Sequence, residues 1–166
     1  EVRQSQRHLQ EQTAQILHIV GGCRQSIGEN GAIEYVAQGW TASGAPYYYA
    51  AEAATWLYWD PSCDGASATP SRWIVDSSAP STTASSDLDG DGCYFSAYID
   101  SDISATPPLG VALWRAYCDQ SWTWVELNVF SPSTACSDTD SGATDPYGDG
   151  CAEYVDETSW CGGYDD

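Results

Sequence analysis

The sequence predicts an all-β protein, an antiparallel β-sandwich of the immunoglobulin-like or a related kind. Three observations predict it. Short runs rich in Tyr, Trp, Val and Ile recur between residues 33 and 130. Several of them alternate apolar and polar residues at period 2, the signature of a half-buried strand. Turn-forming clusters separate them: Pro61-Ser62, Asp64-Gly65, Gly90-Asp91-Gly92 and Pro107-Pro108.

The first segment, 1–22, differs from everything after it. It is rich in Gln, lacks Trp, Tyr, Pro and Asp, and holds both histidines, His8 and His18. Val2, Leu9, Ile16, Leu17 and Val20 form a weak helical stripe, yet the β-branched run 16–20 suits a strand equally. The conformation stays open. Gly21-Gly22 reads as a hinge. The segment is either the first element of the body or, the reading preferred here, an N-terminal assembly arm. In that arm Leu9, Ile16, Leu17, Ile19 and Val20 supply apolar anchors, and Arg3 and Arg7 pair with acids on a receiving subunit.

The body, 23–130, carries seven candidate strands, at 33–38, 45–51, 55–60, 73–76, 93–100, 111–118 and 122–130. In the last, Val125, Leu127 and Val129 share one face, and Trp122, Trp124, Glu126 and Asn128 the other. In the fifth, Cys93, Phe95, Ala97 and Ile99 are expected to face together. The tail, 131–166, is acidic and holds Cys136, Cys151 and Cys161. Its few apolar residues cannot build a core, so it reads as a small disulfide-dependent appendage. No leader-like apolar run opens the chain, which suggests a processed secreted protein, and the ending Gly162-Gly163-Tyr164-Asp165-Asp166 suggests an interrupted segment.

Composition narrows the function. The formal net charge is −19. Residues 1–24 carry +1 and the remainder −20. A field of that sign repels nucleic acid and anionic membrane. No apolar run is long enough for a transmembrane helix. The seven cysteines, Cys23, Cys63, Cys93, Cys118, Cys136, Cys151 and Cys161, contain no CxxC pair. They read as a disulfide scaffold of an extracellular or cell-surface protein, with pairing undetermined and one thiol left over.

Asp87-Leu88-Asp89-Gly90-Asp91-Gly92 has the D-x-D-x-D-G form that wraps oxygen ligands around calcium. An EF-hand would need a glutamate at the twelfth position, where Tyr98 stands. Asp87, Asp89 and Asp91 are therefore candidate ligands of a different calcium loop, with Asp100 or Asp102 completing the shell. The alternative is a solvated acidic turn, and 145–151 is a weaker second candidate. The aromatic residues, Trp122 and Trp124 among them, exceed what one small core needs and suggest a platform for sugars or for a protein partner. Nucleophile, metalloprotease, P-loop and dinucleotide motifs are absent, so no enzyme is expected. Ser and Thr near Pro132 could carry O-linked glycan.

The series YYYAAEAATWLYWDPSCDG, RWIVD, DLDGDGCYFSAYID, PPLG and YCDQSW resembles a Trp/Tyr-rich, acidic, disulfide-containing extracellular domain of algal and protist surface proteins. The likeness spans about 23–130, and CSDTDSGATDPYGDGCAEY with CGGYDD resembles a second cysteine-rich motif of such proteins. An arm ahead of one body domain is similar to subunits of extracellular filaments. The resemblance implies a structural subunit of a helical homopolymer, joined by insertion of the arm into a neighbour. The alternative is a secreted calcium-dependent carbohydrate- or protein-binding module.

Overall fold

The computed structural model describes residues 16–131. Eight antiparallel strands follow in chain order: β1 Ile16–Val20, β2 Ile33–Trp40, β3 Pro46–Ala50, β4 Thr55–Asp60, β5 Arg72–Asp76, β6 Ala97–Asp100, β7 Gly110–Cys118 and β8 Ser121–Phe130. Each pairs with the next, and β8 pairs back onto β1. The fold is a closed barrel and not the expected sandwich. The reason is β1. It aligns Ile16 to Ile19 with Val36 to Ile33 of β2, and His18 to Val20 with Phe130 to Asn128 of β8. One strand thus satisfies the edges of both neighbours, and among the described residues there is no second sheet to pack on the first.

Alternation then decides what lies inside. Leu17 and Ile19 of β1, Tyr35 of β2, Tyr48 of β3, Leu57 of β4, Trp73 and Val75 of β5, Ala97 of β6, Trp114 and Ala116 of β7, and Leu127 and Val129 of β8 make one buried cluster. Large aromatics fill the interior, as an eight-stranded barrel requires. Leu17 and Ile19 belong to this chain's own core, so the segment expected as a free arm supplies a wall of the barrel. Ile16 and Val20 are half-buried residues of the same strand, while Arg3, Arg7 and Leu9 lie outside the described residues, as do Cys136, Cys151 and Cys161.

The glycines expected as a hinge do something else. A Cβ on Gly22 would fall 2.3 Å from Ile27, and one on Gly21 would fall 2.7 Å from the Glu126 carbonyl oxygen. They let a 3-10 turn, Gln25–Ile27, press against the barrel and sink Ile27 into its core. Odd-numbered strands run in one direction, so the ends of β1 and β7 share a rim. The Cys23–Cys118 disulfide joins them there, and Arg24 Nη1 donates to the Tyr117 carbonyl at 3.4 Å.

The β5–β6 connection, 77–96, is long and returns across the outside of β4 and β5. The Cys63–Cys93 disulfide ties it to the β4–β5 loop. Beneath it Tyr58, Ile74, Cys63 and Leu88 form a second, smaller buried cluster. The expected strand 93–100 therefore starts only at Ala97. Cys93 is held in the bridge, and Phe95 packs against this outer cluster, not on the inner face with Ala97 and Ile99.

Among the described residues Tyr48 Oη and Trp114 Nε1, in the interior, find no hydrogen-bond partner. Burial pushes the Tyr48 phenol up to about 12. By contrast Tyr35 Oη is bonded to Thr55 Oγ1 and to the Ser26 carbonyl. Tyr48→Phe is expected to leave stability unchanged or raise it by about 1 kcal/mol, because it removes an unpaired buried hydroxyl. Leu17→Ala should cost about 2–5 kcal/mol in urea unfolding, the usual range for a core truncation. Leu113→Ala, on the outer face, should stay within about 0.5 kcal/mol. Equal effects of the two Leu substitutions would mean that β1 does not close the barrel.

Candidate functional site

Two regions gather chemically capable side chains, both on the outside of the barrel. The first lies under the 77–96 strap. Asp60, at the end of β4, is fully buried and accepts from Ser62 N at 2.8 Å and Leu88 N at 2.9 Å. Burial raises its pKa, and the two amides counter the rise. Asp60 thereby fixes where the strap crosses. One residue further, Asp89 Oδ2 accepts from Tyr58 Oη at 2.8 Å. Asp91 stands between Gly90 and Gly92, whose left-handed φ angles of 75° and 79° turn the loop there.

Carboxylate oxygens of Asp76, Asp89 and Asp91 lie within 4.8 Å of one another, close enough to share one cation. Asp87, expected as a ligand, is not among them. It adopts a positive φ of 47° and accepts from Gly92 N at 3.1 Å, which closes the loop. Asp100 and Asp102 are also elsewhere. Asp100 pairs with Arg72 at 3.1 Å, and Asp102 accepts from Ser71 Oγ at 3.0 Å. The candidate 145–151 lies outside the described residues.

Asp76 is the group that sequence reasoning missed. It ends the apolar run Trp73-Ile74-Val75 and sits eleven residues before the motif. An acid that closes a fully buried strand was the available signal, since every residue of β5 is buried. Burial, followed by a hydrogen bond with Asp89, raises the Asp76 pKa to about 7. Burial also raises Asp91, with Asp89 adding to the effect. The Tyr58 phenol is pushed far up by burial and by Asp89 and Asp76, so it remains a donor at all ordinary pH. Three clustered carboxylate oxygens are the kind of donor set that could hold a hard cation.

The second region is the outer face of β7 and β8. A two-residue turn, Asp119-Gln120, has both φ angles positive, 48° and 64°. That turn matches the strand twist and fixes the hairpin register. Cross-strand partners are then Tyr117 with Trp122, Arg115 with Trp124, Leu113 with Glu126 and Val111 with Asn128. Val111 is 67% exposed, Trp124 60% and Leu113 55%. The Arg115 guanidinium stands 5.2 Å from the Trp124 ring centre. Trp122 is held edge-on by Phe95, Tyr98 and Tyr117 at 5.5–5.7 Å. Arg72 stacks on Tyr98 at 4.5 Å. The assignment of Trp122 and Trp124 to the face opposite Val125, Leu127 and Val129 matches this arrangement.

No family model matches the chain, and neither a curated protein nor a solved structure matches it. No helix among the described residues is long and apolar enough to cross a membrane.

The raised Asp76 pKa sets a sign. The folded state holds this proton more tightly than the unfolded chain, whose Asp titrates near about 3.9. Stability should therefore fall as pH rises from about 4 towards 7 and level off above it. Asp60 and Asp91 act in the same direction. Melting temperature measured across that range is expected to decline, and Asp76→Asn should flatten its upper part. At pH 8 calcium should raise the melting temperature of the unaltered chain but not of Asp89→Asn. An equal rise in both would remove the cation site.

Proposed function

We propose that the chain is a structural subunit of an extracellular polymer of its own copies. One observation carries the reading. The β7–β8 face presents Val111, Leu113, Trp122 and Trp124 to solvent on an otherwise strongly acidic protein. Contiguous exposed apolar surface of this kind marks an interaction site. The two disulfides are compatible with secretion. Calcium held by Asp76, Asp89 and Asp91 would lower the negative charge that opposes assembly.

Insertion of the 16–20 strand into a neighbour would be a strand exchange, because β1 already fills the same seat within the chain. An engineered disulfide between positions 18 and 130, which pair across β1 and β8 on the outer face, would lock the strand at home. A carbohydrate-binding module is the second reading. It is favoured by the exposed Trp124 ring beside Glu126 and Asn128 on the same strand face.

Sedimentation and negative-stain imaging of the purified chain should show open polymers that grow with concentration. A monodisperse monomer at every concentration, with and without calcium, would sink the proposal. Polymers that vanish in the 18–130 locked variant would assign assembly to strand exchange. A glycan that changes tryptophan fluorescence in the unaltered chain but not in Trp124→Ala would favour the second reading.

A further inference from the structure

The assembly reading leaves open which surfaces meet. A second outer surface of the barrel answers the β7–β8 face. It is a cleft of about 550 Å³ on β2 and β3, lined by Glu34, Val36, Gln38, Tyr49, Ala51 and Glu52. A register shift between Ala37 and Gly39 bends β2 beside it. Val36 is exposed, and Tyr49 stacks on Trp56 at 4.4 Å, which gives the cleft an apolar floor and an aromatic wall. Its two charges, Glu34 and Glu52, are both negative and both exposed. His18 Nε2 lies 3.7 Å from the Glu34 carboxylate.

We infer that the Arg115–Trp124 pair of one copy docks in the Glu34/Glu52 cleft of a second copy. The inference rests on the self-assembly reading and names its contact. Charge and shape carry it together. Arg72 is buried in its pair with Asp100, and Arg24 is engaged by the Tyr117 carbonyl. Arg115 is the arginine of the described residues that stands on an exposed aromatic ring. A guanidinium stacked over an indole presents a flat apolar surface with a cation upon it. The cleft offers the complement, an apolar floor between two carboxylates. On this β7–β8 ridge Glu126 lies beside Leu113, two register positions away from the Arg115–Trp124 pair. A neutral sugar would use the ring and leave the two carboxylates of the cleft unexplained.

The geometry of such a contact propagates. Ridge and cleft are different patches on one chain, so the contact is heterologous and does not close by two-fold symmetry. The β7–β8 and β2–β3 hairpins lie three strand positions apart around eight, roughly 135° about the barrel axis. Each added copy is therefore turned relative to the last. Such a rotation repeated along a chain gives a helix unless the rotation happens to close a ring.

The test uses the full chain and charge reversal. Arg115→Glu alone, and Glu34→Arg with Glu52→Arg, should each raise the concentration needed for polymerisation at least about 30-fold, the scale of losing a central interface residue. Trp124→Ala should do the same. Melting curves check that each variant is folded. Mixing the two charge-reversed proteins should restore polymers, because each then meets a partner of opposite sign at both surfaces. Unchanged assembly in all three variants, while the unaltered chain polymerises, would overturn the contact and leave self-assembly standing. Failure of the mixture to recover, with both proteins folded, would also overturn it. An unaltered chain that stays monomeric would overturn both readings together.

Discussion

The barrel depends on five residues. Ile16–Val20 are bonded on one side to β2 and on the other to β8, and they send Leu17 and Ile19 to the centre of the core. Burial of each such side chain is worth about 1.5–3 kcal/mol. More follows from position than from area. Remove this strand and β2 and β8 become open edges, with the interior aromatics exposed between them. The contact with the longest reach in sequence is thus the one that turns a meander into a closed surface. It also explains the tight packing just after it, where Gly21, Gly22 and Ile27 seal the end of the barrel that β1 has closed.

Closure has a chemical consequence. With Tyr35, Tyr48, Trp73 and Trp114 filling the interior, binding chemistry is moved to the outside. There the strap over β4 and β5 does for polar groups what the barrel does for apolar ones. Asp60 is buried but doubly hydrogen-bonded, and Asp89 takes the Tyr58 hydroxyl. The cost of placing carboxylates under a loop is thereby reduced, while burial of Asp76, with Asp89 beside it, makes Asp76 hold its proton more tightly than a free carboxyl does. Over β7 and β8 the strap reaches only as far as Phe95 against Trp122, and Val111, Leu113 and Trp124 stay in solvent.

Local structure was legible in the sequence wherever a local rule governs it. Residues 55–60 are β4 without adjustment, a run of Trp, Leu and Tyr that Pro61 stops directly after its last residue. The two faces of β8 follow from period 2 alone. Closure was not legible. A sandwich and a barrel share the same alternation, and the choice lies in whether β8 finds β1 or a second sheet. Asp76 was hidden for a related reason. A linear motif shows Asp87, Asp89 and Asp91, but pairing of β5 with β4 brings Asp76 to Trp56, on the same outer surface as Tyr58. Asp87 spends its carboxylate on its own loop. The early strand boundary at 93 failed because a disulfide and an outer cluster took Cys93 and Phe95 away from the sheet.

The adjacency of the barrel's two ends bears on tension. Ser131 Oγ donates to the Ile16 carbonyl at 3.3 Å, so the chain enters and leaves the barrel side by side. A pull applied through both ends would load the β1–β8 ladder one hydrogen bond at a time, the weakest way to stress a pair of strands. The Cys23–Cys118 bridge lies just beyond that ladder and spans 95 residues of sequence. Force would pass through the sulfur atoms and bypass everything between them. A chain pulled in this way would yield by a short, fixed length as β1 and β8 peel from their neighbours, and the segment between the two cysteines would stay outside the covalent path of the load.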